Sequence, residues 1–211
     1  MTNDDSAYAA LGALADPVRR RLYRHVAAQP DDVGRDAAAE AAGVSRSLAA
    51  FHLDKLVEAG LLTASSRRLS GRTGPGAGRP AKVYRRAEDE HAVSLPPRSY
   101  DTAGHLLASA VENAGLDREL QDAARAAGAA QPHVADGELV DALAGRGYQP
   151  YWDQDTLRLR NCPFHALAEE FPALICGMNL ALLEGIAPAT WAPAMDPCPG
   201  GCCVALSRRS D

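Results

Sequence analysis

The first 161 residues of this 211-residue chain contain no cysteine. All five of its cysteines (Cys162, Cys176, Cys198, Cys202 and Cys203) crowd into the 42 positions that follow. Thiols scattered for packing would rarely segregate like this. The last part of the chain must therefore fold so that thiols from separate elements meet. An odd count sits badly with a purely disulfide framework, and in a reducing compartment clustered thiols point to metal, cluster or redox chemistry. A reducing compartment is the expectation here. The N-terminus, MTNDDSAYAALGALADP, is acidic and lacks the basic-then-apolar layout of a signal peptide. No apolar run approaches the ~18 residues that a membrane span needs. The protein is expected in the cytoplasm, with no membrane partner.

The chain ahead of the thiols has a different pattern. Residues 7–28 place Leu11, Leu14, Val18, Leu22 and Val26 at three- and four-residue steps, a helical stripe. Residues 31–42 read as a short Ala-rich helix ending at Gly43. Ser45 can cap a further helix, with Leu48, Phe51, Leu53, Leu56 and Val57 as its apolar face and Gly60 as its stop. Two helices joined by a tight Gly-containing turn have the layout of a helix-turn-helix. Two β-capable runs, 61–69 and 81–86, then flank the Gly-rich tip RTGPGAGRP, which cannot pack a core and reads as the tip of a hairpin wing.

Charge is distributed to match. The chain carries a net −5, yet residues 43–87 hold nine Lys and Arg against Asp54 and Glu58 alone, a local +7. A basic block inside an acidic protein is a directed field, suited to meeting a polyanion on one face. Of the 22 basic residues 20 are Arg, a bias that reflects composition at large, so Arg content by itself is no signal.

Beyond a polar, Pro-containing stretch at 88–97, helices are expected over 99–114, 117–130, 138–144, 166–170 and 173–185. Strands are expected over 148–153, 156–160 and 202–206, the last following a Pro-rich loop at 188–200. In that last strand, alternation puts Cys202, Val204 and Leu206 on one face and Cys203, Ala205 and Ser207 on the other. The face with Val204 and Leu206 is the better candidate for burial, which makes Cys202 the inward thiol.

Three blocks, LADPVRRRLYRHVA, VSRSLAAFHLDKLVEAGLL and GRPAKVYRR, together resemble the winged-helix bacterial repressors over about residues 10–87. NCPFHALA, CGMNLALLEG and PGGCCVAL in the second half resemble the SufR-type regulators, iron–sulfur-binding winged-helix repressors of cluster-assembly operons. The resemblance implies an α+β chain. Its parts are an N-terminal winged helix-turn-helix domain (1–87), a linker with dimerisation helices (88–135) and a C-terminal α/β cysteine-containing sensor domain (136–211). It further implies a homodimer on a double-stranded DNA operator, a repressor whose binding follows the redox, nitric oxide or iron–sulfur status of the cell.

Recognition helices read bases with their first turns, so Ser45, Arg46, Ser47 and the Ala49–Ala50 pair are placed for base edges. His52 and Lys55 are placed for phosphate, and Arg67, Arg68, Arg72 and Arg79 on the wing for phosphate or the minor groove. Thiolates select iron–sulfur clusters or zinc over hard cations. Cys162, Cys176, Cys202 and Cys203 are the expected ligands. The spacing C-x13-C-x21-C-x3-CC is uneven, so Cys198 and His165 compete for the fourth place. A 4Fe-4S cluster is favoured, 2Fe-2S is the lesser alternative, and structural zinc is the runner-up. Buried apolar packing of Cys162 and Cys176 explains two thiols but hardly five. Cys162 near His165 invites a nucleophile reading. No orienting acid follows in register, and no Ser–His–Asp spacing, P-loop or GxGxxG emerges. No enzymatic activity is expected.

Overall fold

The computed structural model describes residues 3–67, 80–88, 90–198 and 200–209 and divides the chain into two units, Met1–Arg98 and Ser99–Asp211. Arg68, Arg72 and Arg79, on the expected wing tip, lie outside the described residues. No helix among the described residues is long and apolar enough to cross a membrane.

In the first unit Pro17 breaks the stripe expected over 7–28 into α1 (Asn3–Ala15) and α2 (Pro17–Ala27). Pro has no N–H to continue a helix, and its fixed φ suits a first turn. The Asp16 carboxylate caps α2, accepting from the amides of Val18 (2.8 Å) and Arg19 (2.9 Å). Leu11 therefore leaves the stripe and is exposed, while Leu22 and Val26 are buried. The helix expected from residue 31 starts later, as α3 (Arg35–Ala42), because Val33–Gly34 is spent on a short strand, β1. Helix α4 (Arg46–Glu58) follows, then β2 (Leu62–Arg67) and β3 (Ala81–Arg86). The sheet is antiparallel in the order β1-β3-β2, with Val33 opposite Tyr84 and Leu62 opposite Arg86. Leu22, Val26, Leu53, Leu56, Leu62 and Tyr84 form its core.

The second unit begins with α5 (Tyr100–Ala114) and α6 (Asp117–Ala129), which the sequence reading set apart as part of a linking segment. A 3-10 turn at Asp136–Glu138 leads into α7 (Leu139–Ala144), β4 (Pro150–Asp153) and β5 (Thr156–Leu159). Then come α8 (His165–Glu170), α9 (Pro172–Ile186), β6 (Trp191–Met195) and β7 (Val204–Arg208). Every pairing in the β4-β5-β7-β6 sheet is antiparallel. The α/β arrangement expected here is thus replaced by an α+β one. Both outer strand pairs are formed by consecutive strands, which need no helical crossover. Strand β6 falls in the stretch expected to be loop.

Helix α9 is apolar on nearly every side, as a fully covered helix must be. Leu183 and Ile186 join the sheet-side core with Leu157, Leu159, Trp191 and Leu206. Leu174 and Ile175 pack in a second cluster with Ala108, Leu120 and Phe171. Against α6 the approach is closer still. A methyl group at Gly128 would overlap the Leu182 carbonyl, and one at Gly185 would overlap the Arg125 carbonyl.

Backbone atoms on both sides leave no flexible side chain to yield. Gly128→Ala or Gly185→Ala should therefore destabilise the protein by about 1–3 kcal/mol, the usual penalty of overpacking. Urea unfolding checks this, and wild-type midpoints in both variants would mean that the helices separate at no cost.

Candidate functional site

In the first unit the functional geometry is set by which side of α4 the core claims. Ala49, His52, Leu53 and Leu56 are buried. Ser45, Arg46, Ser47, Leu48 and Phe51 are exposed, and Ala50 and Lys55 are partly so. The Ser45 hydroxyl caps the helix through the Leu48 amide (3.3 Å) and lies 3.2 Å from the Ser47 hydroxyl. Arg46 pairs with Asp36 of α3 at 2.6 Å, both side chains being largely solvated. Surface ion pairs of this kind are weak, so Arg46 can exchange Asp36 for another acceptor.

Two expectations about α4 are corrected. His52, expected against phosphate, is 7% exposed, and its Nδ1 has no hydrogen-bond partner. Ala49, expected at base edges, has no exposed surface. Conversely Leu48 and Phe51, assigned to the core by their apolarity, face outward, Phe51 with 55% exposure. Such a surface over the first two turns, of a basic, two hydroxyl and two large apolar groups, suits base edges and thymine methyls.

Asp54 ties α4 to its neighbours. It accepts from Lys82 Nζ (2.7 Å) and Tyr84 Oη (2.7 Å), both on β3, and Arg35 of α3 stands 3.7 Å away. Burial alone would push its carboxyl up, but the Lys82 and Tyr84 hydrogen bonds and the nearby cations outweigh that and hold it below its usual 3.8. Lys55 is engaged by Glu58 at 2.6 Å. Arg67 and Arg85 grip the two oxygens of Asp32 at 2.8 Å each. Hydrogen bonding from Arg85, with Arg67 behind it, lowers the Asp32 carboxyl.

In the second unit, three elements deliver the thiols. Cys162 lies just beyond β5, Cys176 is on α9, and Cys202 and Cys203 precede β7. The amide of Cys202 donates to the Leu159 carbonyl (2.8 Å), tying the end of β5 to the chain just ahead of β7, two residues out of the ladder's register. The alternation expected of a strand at 202–206 does not reach its first two residues, because regular strand starts at Val204. Cys202 and Cys203 both meet α9 instead of facing opposite ways. Cys203 Sγ accepts from Cys176 Sγ at 3.1 Å, and Cys202 Sγ accepts from Asn179 Nδ2 at 3.2 Å.

Cys202 is the thiol most readily ionised. A hydrogen bond from the Cys162 thiol, followed by the amides of Val204 and Cys203 and the Asn179 side chain, outweighs burial and lowers it to about 7. That bond and burial push Cys162 up, and burial with the Cys203 contact pushes Cys176 up to about 12. The Cys202 charge also opposes ionisation of Cys162, Cys176 and Tyr148, which places two thiol pairs in one electrostatic neighbourhood. Cys198 is joined to the group through the backbone, its thiol donating to the Cys202 carbonyl at 4.0 Å. His165 is exposed and turned to Glu169 at 3.3 Å.

The donor set is all sulfur, which fits a thiophilic metal or iron–sulfur cluster. Among the described residues, however, no group of three or more His, Cys, Asp or Glu side chains is placed so that it could hold a metal ion. Thiolates bonded to tetrahedral zinc at ~2.3 Å stand about 3.8 Å apart, wider than the 3.1 Å between Cys176 and Cys203. The pairs would have to open around a metal.

Sequence reasoning missed Asn179 and Tyr148. Both are buried, and Tyr148 Oη donates to Asn179 Oδ1 at 2.5 Å. The signal was available: Asn179 is the one amide in the apolar run LICGMNLALLEGI.

Residues 14–63 match a family described as a helix-turn-helix domain. The matched span runs from the end of α1 to the start of β2 and contains α3, the turn and α4. A DNA-binding transcription regulator is supported by that match. No curated protein and no solved structure matches the chain.

The ion network makes the stability of the first unit depend on pH. Asp54 is depressed in the folded state, so its contribution is complete above its unfolded value of 3.8 and is lost as pH falls through the lower folded value. Asp54→Ala should lower the midpoint of thermal unfolding at neutral pH. The gap to wild type should narrow as pH is lowered through the carboxylate range. A gap that stays constant would assign the loss to packing instead.

Proposed function

We propose that the chain is a homodimeric transcriptional repressor of SufR type, whose operator affinity follows an iron–sulfur cluster held by Cys162, Cys176, Cys202 and Cys203. The observation that carries the sensing role is the gathering of these four thiols from three elements into one electrostatic neighbourhood. A bound cluster, 4Fe-4S by preference over 2Fe-2S, supplies a centre that oxidants and nitric oxide attack. The chain's own part is to hold a thiolate ready at Cys202 and to join β5, α9 and the approach to β7 through sulfur. Releasing these elements from one another shifts the population between DNA-competent and incompetent dimers.

On the DNA side, the outward residues of α4 read the major groove from Arg46 onward, and the wing meets the backbone. Two copies would present two such helices to half-sites about one helical turn apart. The outward leucines of α5, Leu106 and Leu107, offer apolar surface for that pairing. Structural zinc is the second reading, because an all-sulfur donor set suits a tetrahedral zinc–thiolate site as well.

Arg46→Ala should weaken operator binding by about 1–3 kcal/mol, the value of a bidentate Arg–guanine contact, with little change on random DNA. Equal losses on both would place Arg46 on phosphate. Anaerobically purified wild type should be brown and contain iron and sulfide. Cys162→Ser, Cys176→Ser or Cys202→Ser should come out folded and colourless, without cluster-dependent control of operator binding in a mobility-shift titration. Full cluster content in any of the three would remove that residue from the site. Stoichiometric zinc without iron or sulfide in wild type would decide for the second reading.

A further inference from the structure

The thiol site contains one buried polar side chain that ligation does not use. Asn179 is 1% exposed, set in the interior of α9 among Ile175, Leu180 and Leu183. An amide withdrawn from water is costly unless both its ends are paired. Here they are: Nδ2 donates to Cys202 Sγ at 3.2 Å, and Oδ1 accepts from Tyr148 Oη at 2.5 Å. A leucine would fill comparable space with no such requirement, so the amide is there for what it donates.

Its orientation is also set. The Tyr148 hydroxyl gives its hydrogen to an acceptor, which the carbonyl end of the amide provides. The NH2 end is left to face the sulfur. Tyr148 is itself buried, 1% exposed, so water cannot substitute for either partner. The result is a fixed line of phenol, amide and sulfur from the start of the β4 approach, through α9, to Cys202.

An N–H donated to a ligand sulfur draws electron density from it and favours the more negatively charged, reduced form of whatever the sulfur binds. Such outer partners orient metal ligands, and hydrogen bonds to sulfur are among the factors that set cluster potentials. We propose that Asn179, oriented by Tyr148, is the positioning residue of the thiolate site: it donates to the Cys202 sulfur and raises the reduction potential of the cluster held there. This rests on the iron–sulfur reading above.

The test uses the full chain reconstituted anaerobically with iron and sulfide. Iron and sulfide content, far-ultraviolet circular dichroism and the reduction potential by spectroscopic redox titration are measured for wild type, Asn179→Leu and Tyr148→Phe. Asn179→Leu should keep the wild-type helix signal and cluster content while its potential moves negative. Tyr148→Phe should move it the same way by less, since the amide remains but is no longer held. If Asn179→Leu does not fold, Tyr148→Phe decides alone. A potential equal to wild type at full cluster content overturns the role of Asn179 and leaves the cluster reading standing. Wild type that takes up no iron and no sulfide overturns the cluster reading, and this inference with it.

Discussion

The second unit depends on the hydrogen bond from the Cys202 amide to the Leu159 carbonyl. It ties the end of β5 to the chain just ahead of β7, out of the ladder's register, and holds the backbone from which the Cys202 side chain departs. Cys202 is 2% exposed, and its thiolate would be expensive to bury in an apolar setting. The Asn179 side chain donates to it at 3.2 Å, and hydrogen bonding from the Cys162 thiol and the nearby amides of Val204 and Cys203 favours its charged form. They explain why this thiol is lowered while its neighbours Cys162 and Cys176 are raised. Two adjacent thiolates in a buried space repel, so one charge is concentrated where the donors are.

The first unit solves a different problem, since a short helix must supply both a core face and a reading face. Leu53 and Leu56, with Ala49 and His52, take the inward side of α4. The small size of Ala49 lets the helix sit close to the core formed by Leu22, Val26 and Tyr84. Asp54 then links α4 to β3 through Lys82 and Tyr84, so the reading helix and the base of the wing share one carboxylate. A basic side chain bound to an internal acid still contributes positive field, but its geometry is set by the protein and not by the DNA. Arg46, paired with Asp36 while both side chains are largely solvated, is not held in that way.

Much of this was legible in the sequence. Ser45 as a cap, Gly43 and Gly60 as stops, and the paired runs around the Gly-rich tip all rest on local backbone chemistry, which sequence carries directly. What failed rests on tertiary context. Leu48 and Phe51 share a helical spacing with Ala49 and His52, one position along, and apolarity alone favours the wrong stripe. Burial follows which face meets the core, not which residues are larger. Strand β6 was hidden by Pro193, which looks like a loop residue. Its pairing with Leu206 is possible because β6 is an edge strand, where a missing N–H can face away from the ladder. The set of thiols was legible in composition. Their pairing, Cys162 with Cys202 and Cys176 with Cys203, was not, because it depends on a bend just before β7 that no alternation rule describes.

That bend gives α9 its significance. Cys176 and Asn179 are three residues apart and so lie on one face of the helix. They meet Cys203 and Cys202 respectively, two residues adjacent in the chain. A single helical turn therefore reads out both thiol pairs. Its registration against the sheet has to be held to a fraction of a residue, since supporting groups placed an ångström too loosely lose their effect. Side-chain packing alone tolerates shifts of that size by rotamer changes. Backbone contact does not, and the Gly128–Gly185 crossing puts α6 and α9 in backbone contact one to two turns beyond Asn179. The two glycines thus do for the site what no ligand can do for itself: they fix where along its axis the helix presents Cys176 and Asn179.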